Sequence, residues 1–175
     1  MGITGMVCTL KGCWRVVLGP ARRYLDRMGQ SLHQVYGHLV FSTKERVALI
    51  SADQEEALYD YLGGIVRDLG GRAIEINGMA DHVHVLIRAS KGTTDVEFMR
   101  QLKGSSSKWM NEARGGGFKW QGGYGWFSVG PQDLEKARAY VRGQKEHHRT
   151  ESFQEEFRRF LKRYGVEDDE RWVWD

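Results

Sequence analysis

Apolar residues recur at helical spacing in the stretch that follows Ser51. Ser51 and Gln54 have the spacing of a capping box, and the apolar residues after them share one face of a helix. Gly70 and Gly71 follow the last apolar position and predict the end of this helix. A second helix is predicted after a capping Thr94. The two apolar stripes comprise Leu58, Leu62, Ile65, Val66 and Leu69 in the first helix, and Val96, Met99 and Leu102 in the second.

The segments around these helices alternate with the period of two that is typical of β-strands. Residues 35–42 predict a first strand, and residues 73–77 and 82–87 predict a hairpin. A short aromatic strand follows the glycines at 115–117, and a third helix begins near Pro131. The order strand, helix, hairpin, helix, strand, helix predicts an α+β fold. We expect a ferredoxin-like sandwich, with an antiparallel sheet and helices on one face.

Two histidines lie on the same face of the second hairpin strand. Successive side chains of a strand point to opposite faces, so His82 and His84 project together while Val83 points into the core. A His-x-His pair often occurs by chance, but two imidazoles on the non-core face of an apolar strand have little structural purpose. Asp81 either orients an imidazole or shapes the turn, and we favour the turn.

A tyrosine and a glutamine lie one turn apart on the third predicted helix. Tyr140 and Gln144 share a face because residues four apart are neighbours on a helix. A helical tyrosine more often packs at the core, but a glutamine one turn later is a poor core residue. Two imidazoles and an amide oxygen form a candidate divalent-metal site, with the tyrosine as a candidate nucleophile. For His147 and His148, capping of the helix end explains their presence as well as a role in chemistry does.

Four segments carry motifs in a fixed order. They are SLHQVYGHLVFSTK at 31–44, GMADHVHVL at 78–86, WQGGYG at 120–125 with FSV at 127–129, and YVRGQKEHH at 140–148. With these motifs the chain resembles the one-tyrosine, His-hydrophobic-His transposases of bacterial insertion sequences and their repeat-associated relatives. The resemblance runs from about Ser31 to the C-terminus. One departure is Gly143, where many relatives carry a polar residue. Because glycine within a helix costs about 1 kcal/mol relative to alanine, we expect a locally looser helix there.

The resemblance implies a DNA transposase that cuts and rejoins single-stranded DNA and recognises hairpins at the ends of its element. By the family pattern, His82, His84 and Gln144 bind the metal ion and Tyr140 is the nucleophile. Attack by Tyr140 would leave a 5′-phosphotyrosine link and a 3′-hydroxyl, and reversal would rejoin the DNA without a nucleotide cofactor. The ligands also admit zinc or cobalt, and the resemblance favours Mg²⁺ or Mn²⁺.

Two other functions remain open on the sequence. One is a nicking enzyme of the same chemical class, such as a domesticated repeat-processing relative. The short chain argues against the versions that serve replication or conjugation. The other is a non-catalytic nucleic-acid-binding module on the same fold. The intact set of Tyr140, His82, His84 and Gln144 argues against that alternative.

The resemblance to the insertion-sequence branch also implies a homodimer with composite sites. In that arrangement the helix with Tyr140 and Gln144 docks on the histidines of the partner chain. Gly125 and Gly130 precede this helix and Gly143 lies within it, which would let it dock on either chain. The repeat-associated branch can act as monomers, so the sequence leaves the docking mode open.

The excess of positive charge lies in the first 27 residues. The whole chain has a net charge of +3, but residues 28–175 hold 21 basic and 22 acidic residues. A DNA-binding surface must therefore come from local clustering of charge. Both cysteines, Cys8 and Cys13, lie in this leader, which lacks the long apolar core of a secretory signal. We predict a non-family extension over 1–27, without a disulfide role, and a single catalytic domain over 28–175.

Length and hydropathy narrow the class of protein. A chain of 175 residues has the length of a single domain and is long enough to bury a hydrophobic core. No stretch is apolar for long enough to span a bilayer, so no membrane partner is expected. Together with the scarcity of cysteine, this predicts a cytoplasmic enzyme.

Donors for DNA phosphates cluster near the end of the second helix, and aromatic residues crowd the segment after it. A solvated basic face would look the same as a phosphate-binding one, and most aromatic residues of short strands belong to a core. One or two aromatic rings that stack on unpaired bases would each contribute roughly 1–3 kcal/mol. The candidate DNA-binding residues are Lys103, Ser106 and Lys108 in the helix, and Trp120 and Tyr124 after it.

Overall fold

The computed structural model describes residues 32–167 and two short strands near the N-terminus, β1 (Val7–Thr9) and β2 (Gly12–Trp14). These two strands pair antiparallel and belong to a separate unit of the chain. The rest of the leader and residues 168–175 lie outside the described residues. The N-terminal extension and the absence of a disulfide role for its cysteines therefore stay predictions.

The remaining strands and helices follow the predicted alternation. In chain order they are β3 (Tyr36–Ser42), α1 (Ala52–Asp68), β4 (Arg72–Met79), β5 (His82–Arg88), α2 (Asp95–Arg114), β6 (Gly125–Val129), α3 (Leu134–Arg142), α4 (Gln144–His147) and α5 (Phe153–Tyr164). The four strands pair antiparallel in the order β4-β5-β3-β6. This is the ferredoxin-like arrangement, and the predicted α+β sandwich is confirmed.

The first two helices begin where the sequence predicts, but with different caps. The hydroxyl of Thr94 accepts the backbone N–H of Glu97 at 3.3 Å, as an N-cap should. At α1 the hydroxyl of Ser51 instead donates to the Gln54 side chain at 2.9 Å, so the predicted capping box is not formed. Within the described part of the chain, no helix combines the length and the apolar character needed to span a bilayer.

One face of the sheet is apolar and carries α1 and α2. Alternation along β3 and β5 directs one set of side chains to this face, where the two helices bury their stripes against it. The core formed there includes Leu39 and Phe41 from β3, Val83, Val85 and Ile87 from β5, Leu58, Leu62 and Val66 from α1, and Phe98, Met99, Leu102 and Met110 from α2.

The opposite face is covered as well, by α3, α4 and α5, so the prediction of helices on one face is corrected. The physical reason is the apolar stripe of α5, which needs a surface to bury it. Glu75 of β4 accepts hydrogen bonds from Arg138 (3.0 Å) and Arg142 (2.8 Å), which holds α3 on the sheet. The apolar cluster on this face consists of Val40, Phe127, Phe153, Phe160 and Leu161.

Candidate active site

The two histidines of β5 lie on the face covered by α3 to α5, as their alternation predicts. His82 and His84 are opposite Ser42 and Val40 of β3, and both imidazoles are almost completely buried. The Asp81 carboxylate lies 2.7 Å from Nδ1 of His82. Asp81 lies in the turn between β4 and β5, as we expect, and its side chain also orients the imidazole.

A third imidazole, which the sequence analysis did not assign to the site, supports His84 from the neighbouring strand. Nε2 of His38 lies 2.9 Å from Nδ1 of His84, and the two rings stack with their centroids 5.1 Å apart. Burial and the neighbouring His84 lower the pKa of His38 to about 3. Burial lowers the pKa of His84 to about 4, although Glu156 opposes this shift. Both imidazoles are therefore neutral at neutral pH, which is the form that binds metal ions.

Tyr140 lies near the end of α3, with its ring 6.2 Å from that of His84. Its hydroxyl donates to the Glu156 carboxylate and accepts from the Arg159 guanidinium at 3.2 Å. Burial raises the pKa of the Tyr140 phenol, and the hydrogen bond to Glu156 adds to the increase. Arg159 acts in the opposite direction, because a positive charge favours the phenolate. The predicted nucleophile is thus held between a carboxylate and a guanidinium.

Gln144 does not continue the helix of Tyr140. Helix α3 ends at Arg142, Gly143 follows with φ −84° and ψ 10°, and Gln144 begins the four-residue α4. The expected looseness at Gly143 is therefore a break between two helices. Gln144 is fully buried, and its amide nitrogen donates to Glu156 at 3.2 Å.

Two further members of the site were missed by the sequence analysis. Nε2 of His148, a residue that the sequence explains equally well by helix capping and by chemistry, lies 3.0 Å from Nε2 of His82. Glu156 of α5 is fully buried, and its Oε2 lies 3.2 Å from Nε2 of His148 and 3.4 Å from Nε2 of His84. Burial alone would raise the pKa of Glu156, but its contacts with the two imidazoles hold this pKa well below its usual range. A signal was present, since Glu156 follows Phe153 by three residues and so interrupts an apolar stripe.

The site fits a divalent metal ion. One donor atom from each of His82, His84, His148 and Glu156 lies within 4.8 Å of all the others. Nε2 of His84, Oε1 of Gln144 and Oε2 of Glu156 are buried, and none has a hydrogen-bond partner among the described residues. Buried polar atoms without partners are rare, and a bound ion is one of their ordinary explanations. Nitrogen and carboxylate donors at this spacing are typical ligands of such an ion.

The candidate DNA-binding residues are placed on the other side of the sheet or in its core. Ser106 is fully buried and accepts the indole N–H of Trp120 at 3.0 Å, so the expectation that these two contact DNA is corrected. The Lys103 ammonium donates to three backbone carbonyls of residues 121–123, at 2.6–2.9 Å. Burial lowers the pKa of Lys103 to about 8. Lys108 is exposed and Tyr124 is partly exposed, so these two side chains remain accessible to DNA.

A basic pocket on the site's own side of the sheet was not predicted. Its volume is about 380 Å³, and Tyr140 contributes to its wall. Lys136, Arg159 and Arg163 supply three positive charges around it, and Asp133 supplies one negative charge. A pocket of this charge next to the predicted nucleophile suits the phosphates of a nucleic acid strand.

Comparisons with known proteins agree with one another. The family model described as transposase IS200-like matches residues 31–144. The ISDra2 transposase TnpA of Deinococcus radiodurans is 27% identical over 120 residues, which are 65% of this chain and 86% of that protein. A crystal structure of a D. radiodurans protein described as a transposase has a TM-score of 0.54 and 25% identity, over 65% of this chain and 93% of that one. A REP-associated tyrosine transposase bound to a REP hairpin shares the fold, with a TM-score of 0.53 and 15% identity over 68% of this chain and 71% of its own.

Proposed function

The chain belongs to the family of IS200-like transposases, enzymes of DNA strand cleavage and transfer, and we propose that it acts on single-stranded DNA through a covalent link to Tyr140. One observation carries the proposal. The hydroxyl of Tyr140 is joined through a single carboxylate, Glu156, to the cluster of His82 and His84. A nucleophile and a candidate metal centre thereby share one buried group.

The residues that would hold the metal ion are His82, His84 and Gln144. The neutral imidazole of His84, the buried imidazole of His82 beside it and an amide oxygen without a hydrogen-bond partner among the described residues support this assignment. We propose Mg²⁺ or Mn²⁺ as the ion, on the strength of the family. When bound, the ion polarises the scissile phosphate and neutralises negative charge in the transition state.

The proposed reaction exchanges one phosphoester bond for another. The oxygen of Tyr140 attacks the phosphorus atom, the bond to the 3′-oxygen breaks, and a 5′-phosphotyrosine link forms. Glu156 accepts the hydrogen bond of the phenol and orients its oxygen, the phenolic proton passes to solvent as the bond to phosphorus forms, and the departing 3′-oxygen takes up a proton from solvent. Arg159 contacts the same phenolic oxygen and would stabilise its negative charge. A 3′-hydroxyl then reverses the step, so no nucleotide cofactor is consumed.

Substrate access is proposed through the basic pocket beside Tyr140. Lys136 and Arg159 expose 85% and 42% of their side chains and can meet phosphates from solvent. Recognition of hairpins is the finer part of the proposal, because it rests on the resemblance and on a neighbour of the same fold solved with a REP hairpin. The alternative of a domesticated repeat-processing enzyme would use the same chemistry at the same residues.

The test of the proposal is Tyr140→Phe, assayed on labelled single-stranded oligonucleotides that carry hairpins from the DNA flanking the gene. We expect the covalent protein–DNA adduct to disappear from denaturing gels, with binding retained, because only the phenolic oxygen is removed. Tyr61→Phe is the matched control, since this ring stacks on Trp109 and belongs to α1, on the other face of the sheet. An adduct that persists in Tyr140→Phe would identify another nucleophile.

We further propose that two chains form a homodimer with composite sites. In the structure, Tyr140 packs on the histidines of its own chain. Gly130 precedes α3, and everything beyond it could dock together on a partner chain, Gln144 and Glu156 included. The partner would then supply the nucleophile and part of the ligand set, and each chain would keep its own His82 and His84.

Complementation tests this docking. Inactive Tyr140→Phe and inactive His82→Ala chains are mixed under conditions of subunit exchange, and cleavage is measured. In a partner-docked heterodimer, one site combines intact histidines with an intact tyrosine, so up to half of the sites of each heterodimer recover. Docking on the chain's own histidines leaves a defect in every site. Demonstrated exchange without recovered cleavage would exclude the composite arrangement.

A further inference from the structure

Each of three imidazoles in the buried cluster has its outer nitrogen occupied. Nδ1 of His82 lies 2.7 Å from the Asp81 carboxylate, and Nδ1 of His148 lies 2.9 Å from the backbone carbonyl of Glu151. Both partners are acceptors only, so each Nδ1 carries the proton. Nδ1 of His84 lies 2.9 Å from Nε2 of His38, which accepts when His84 carries its proton on Nδ1. This is how proteins fix the tautomer of metal-binding histidines.

When these imidazoles are neutral and carry their protons on Nδ1, their inner nitrogens present three lone pairs to one another around a carboxylate. Nε2 of His82 and of His148 are 3.0 Å apart, and Oε2 of Glu156 lies within 3.4 Å of Nε2 of both His148 and His84. Acceptors facing acceptors in a buried site repel each other unless a cation or a shared proton lies between them. All four side chains expose 6% of their surface or less, so water has little access to relieve this arrangement.

We propose that His148 and Glu156 are metal ligands in addition to His82, His84 and Gln144, so that three imidazoles and one carboxylate hold the ion beside the amide oxygen. The inference rests on the proposed metal-assisted function and deepens it. A nitrogen-rich set of this kind prefers first-row transition metals such as Mn²⁺, Co²⁺ or Zn²⁺ over Mg²⁺, which favours oxygen ligands. Gln144 then has a second task, because its amide nitrogen positions Glu156 from the side of Tyr140.

Glu156 would therefore connect the metal ion with the nucleophile. Its Oε1 accepts from Tyr140 and from Gln144, while its Oε2 faces the two imidazoles. Binding of the ion at Oε2 would fix the orientation of the carboxylate and, through Oε1, the position of the phenol. Helix α5, which the sequence presents as a packing helix, thus supplies the group that unites the site.

The experiment is calorimetric titration of the full chain with Mn²⁺, Zn²⁺ and Mg²⁺. We expect His148→Ala and Glu156→Gln each to weaken Mn²⁺ and Zn²⁺ binding by a factor of about 10 or more. Loss of a residue that only supports a metal ligand already weakens binding about this much, and loss of a ligand should weaken it at least as strongly. The matched controls are His147→Ala and Glu155→Gln. Nε2 of His147 contacts Glu151 at 2.6 Å, and the Glu155 carboxylate accepts the backbone N–H of Ser152. Neither residue belongs to the cluster, so both control variants should bind the metal ions as the wild type does.

Unchanged affinity in His148→Ala and Glu156→Gln, with binding lost in His82→Ala, would overturn the inference and leave the proposed function intact. An adduct formed by Tyr140→Phe would overturn the proposed function whatever the affinities are. Should a variant fail to fold, X-ray absorption of the Zn²⁺-loaded wild-type chain decides the matter. Three imidazole ligands support the inference, and two or fewer overturn it.

Discussion

The two faces of the β-sheet are built from the same strands and differ in what they bury. On the α1–α2 face, Phe41 of β3 and Val83 of β5 pack into a continuous apolar core. On the other face, His38, His82 and His84 of these strands are buried with equal completeness. The period of two along each strand therefore separates an apolar layer from a polar one within a few ångströms.

This difference in buried side chains indicates which face stabilises the fold and which face contains the candidate site. Apolar burial stabilises the fold by roughly 25 cal/mol per Å² of surface removed from water. The buried polar face gains less, because Gln144 and Glu156 keep atoms without a hydrogen-bond partner among the described residues, and each such atom costs about 1–3 kcal/mol. We infer that the apolar face holds the fold together while the polar face is kept for the reaction.

The largest expected effect is on the apolar face. Phe41 is 2% exposed and meets Trp120 edge to face, with the ring centroids 4.8 Å apart. Phe41→Ala removes this packing and leaves a cavity, so the free energy of unfolding should fall by about 3–5 kcal/mol. Urea unfolding of the purified chain measures the change. Val96→Ala, at a side chain that is 66% exposed, is the control and should stay within about 0.5 kcal/mol.

Urea unfolding of a variant on the polar face tests whether the two faces differ in how strongly they stabilise the fold. Gln144→Met keeps a similar volume and removes a buried amide oxygen that lacks a partner, but it also removes a hydrogen bond to Glu156. Without metal ions, we expect these opposing terms to leave a change below about 1.5 kcal/mol. A loss as large as that of Phe41→Ala would show that the polar face stabilises the fold as strongly as the apolar one.

Much of the fold could be predicted because its signals are local. The stripe from Leu58 to Leu69 and the alternation from His82 to Ile87 are readable from spacing alone, and both elements are present. The placement of the last helices was not local. Helices α4 and α5 follow the break at Gly143, and the packing of α5 on this face of the sheet comes from contacts between distant segments that no periodicity in the sequence gives.

Some residues of the candidate site could also be predicted from the sequence, and others could not. His82, His84, Tyr140 and Gln144 were found through spacing and family motifs, and the structure brings them to one face of the sheet. Their assigned roles stay predictions. Glu156 was missed because its stripe reads as packing, and only the tertiary fold brings a buried carboxylate to the histidines.

Ser106 shows the opposite error, because the sequence alone predicts a surface donor at this buried position. It lies four residues after Leu102 and four before Met110, on the buried stripe of α2, and extending that stripe would have placed it inside.

The smallest expected effect concerns Lys103, a charged group at the edge of the apolar face. Its ammonium donates to the carbonyls of Gln121, Gly122 and Gly123, and so holds the loop before β6. Lys103→Met should lower the free energy of unfolding by about 1–2 kcal/mol, since water can reach the exposed glycine carbonyls and replace part of the loss. Lys108→Met is the control, because Lys108 is 80% exposed and should change stability by less than about 0.5 kcal/mol.

The salt dependence of DNA binding then separates a structural lysine from a DNA-binding one. Loss of a phosphate contact reduces the slope of log affinity against log salt by about one, whereas loss of a loop anchor leaves this slope unchanged. We expect Lys103→Met to keep the wild-type slope on single-stranded DNA, because its three donors are already used within the chain. A reduced slope would mean that DNA displaces the loop from Lys103. The apolar side of the sheet would then take part in binding substrate, and the division between the two faces would no longer hold.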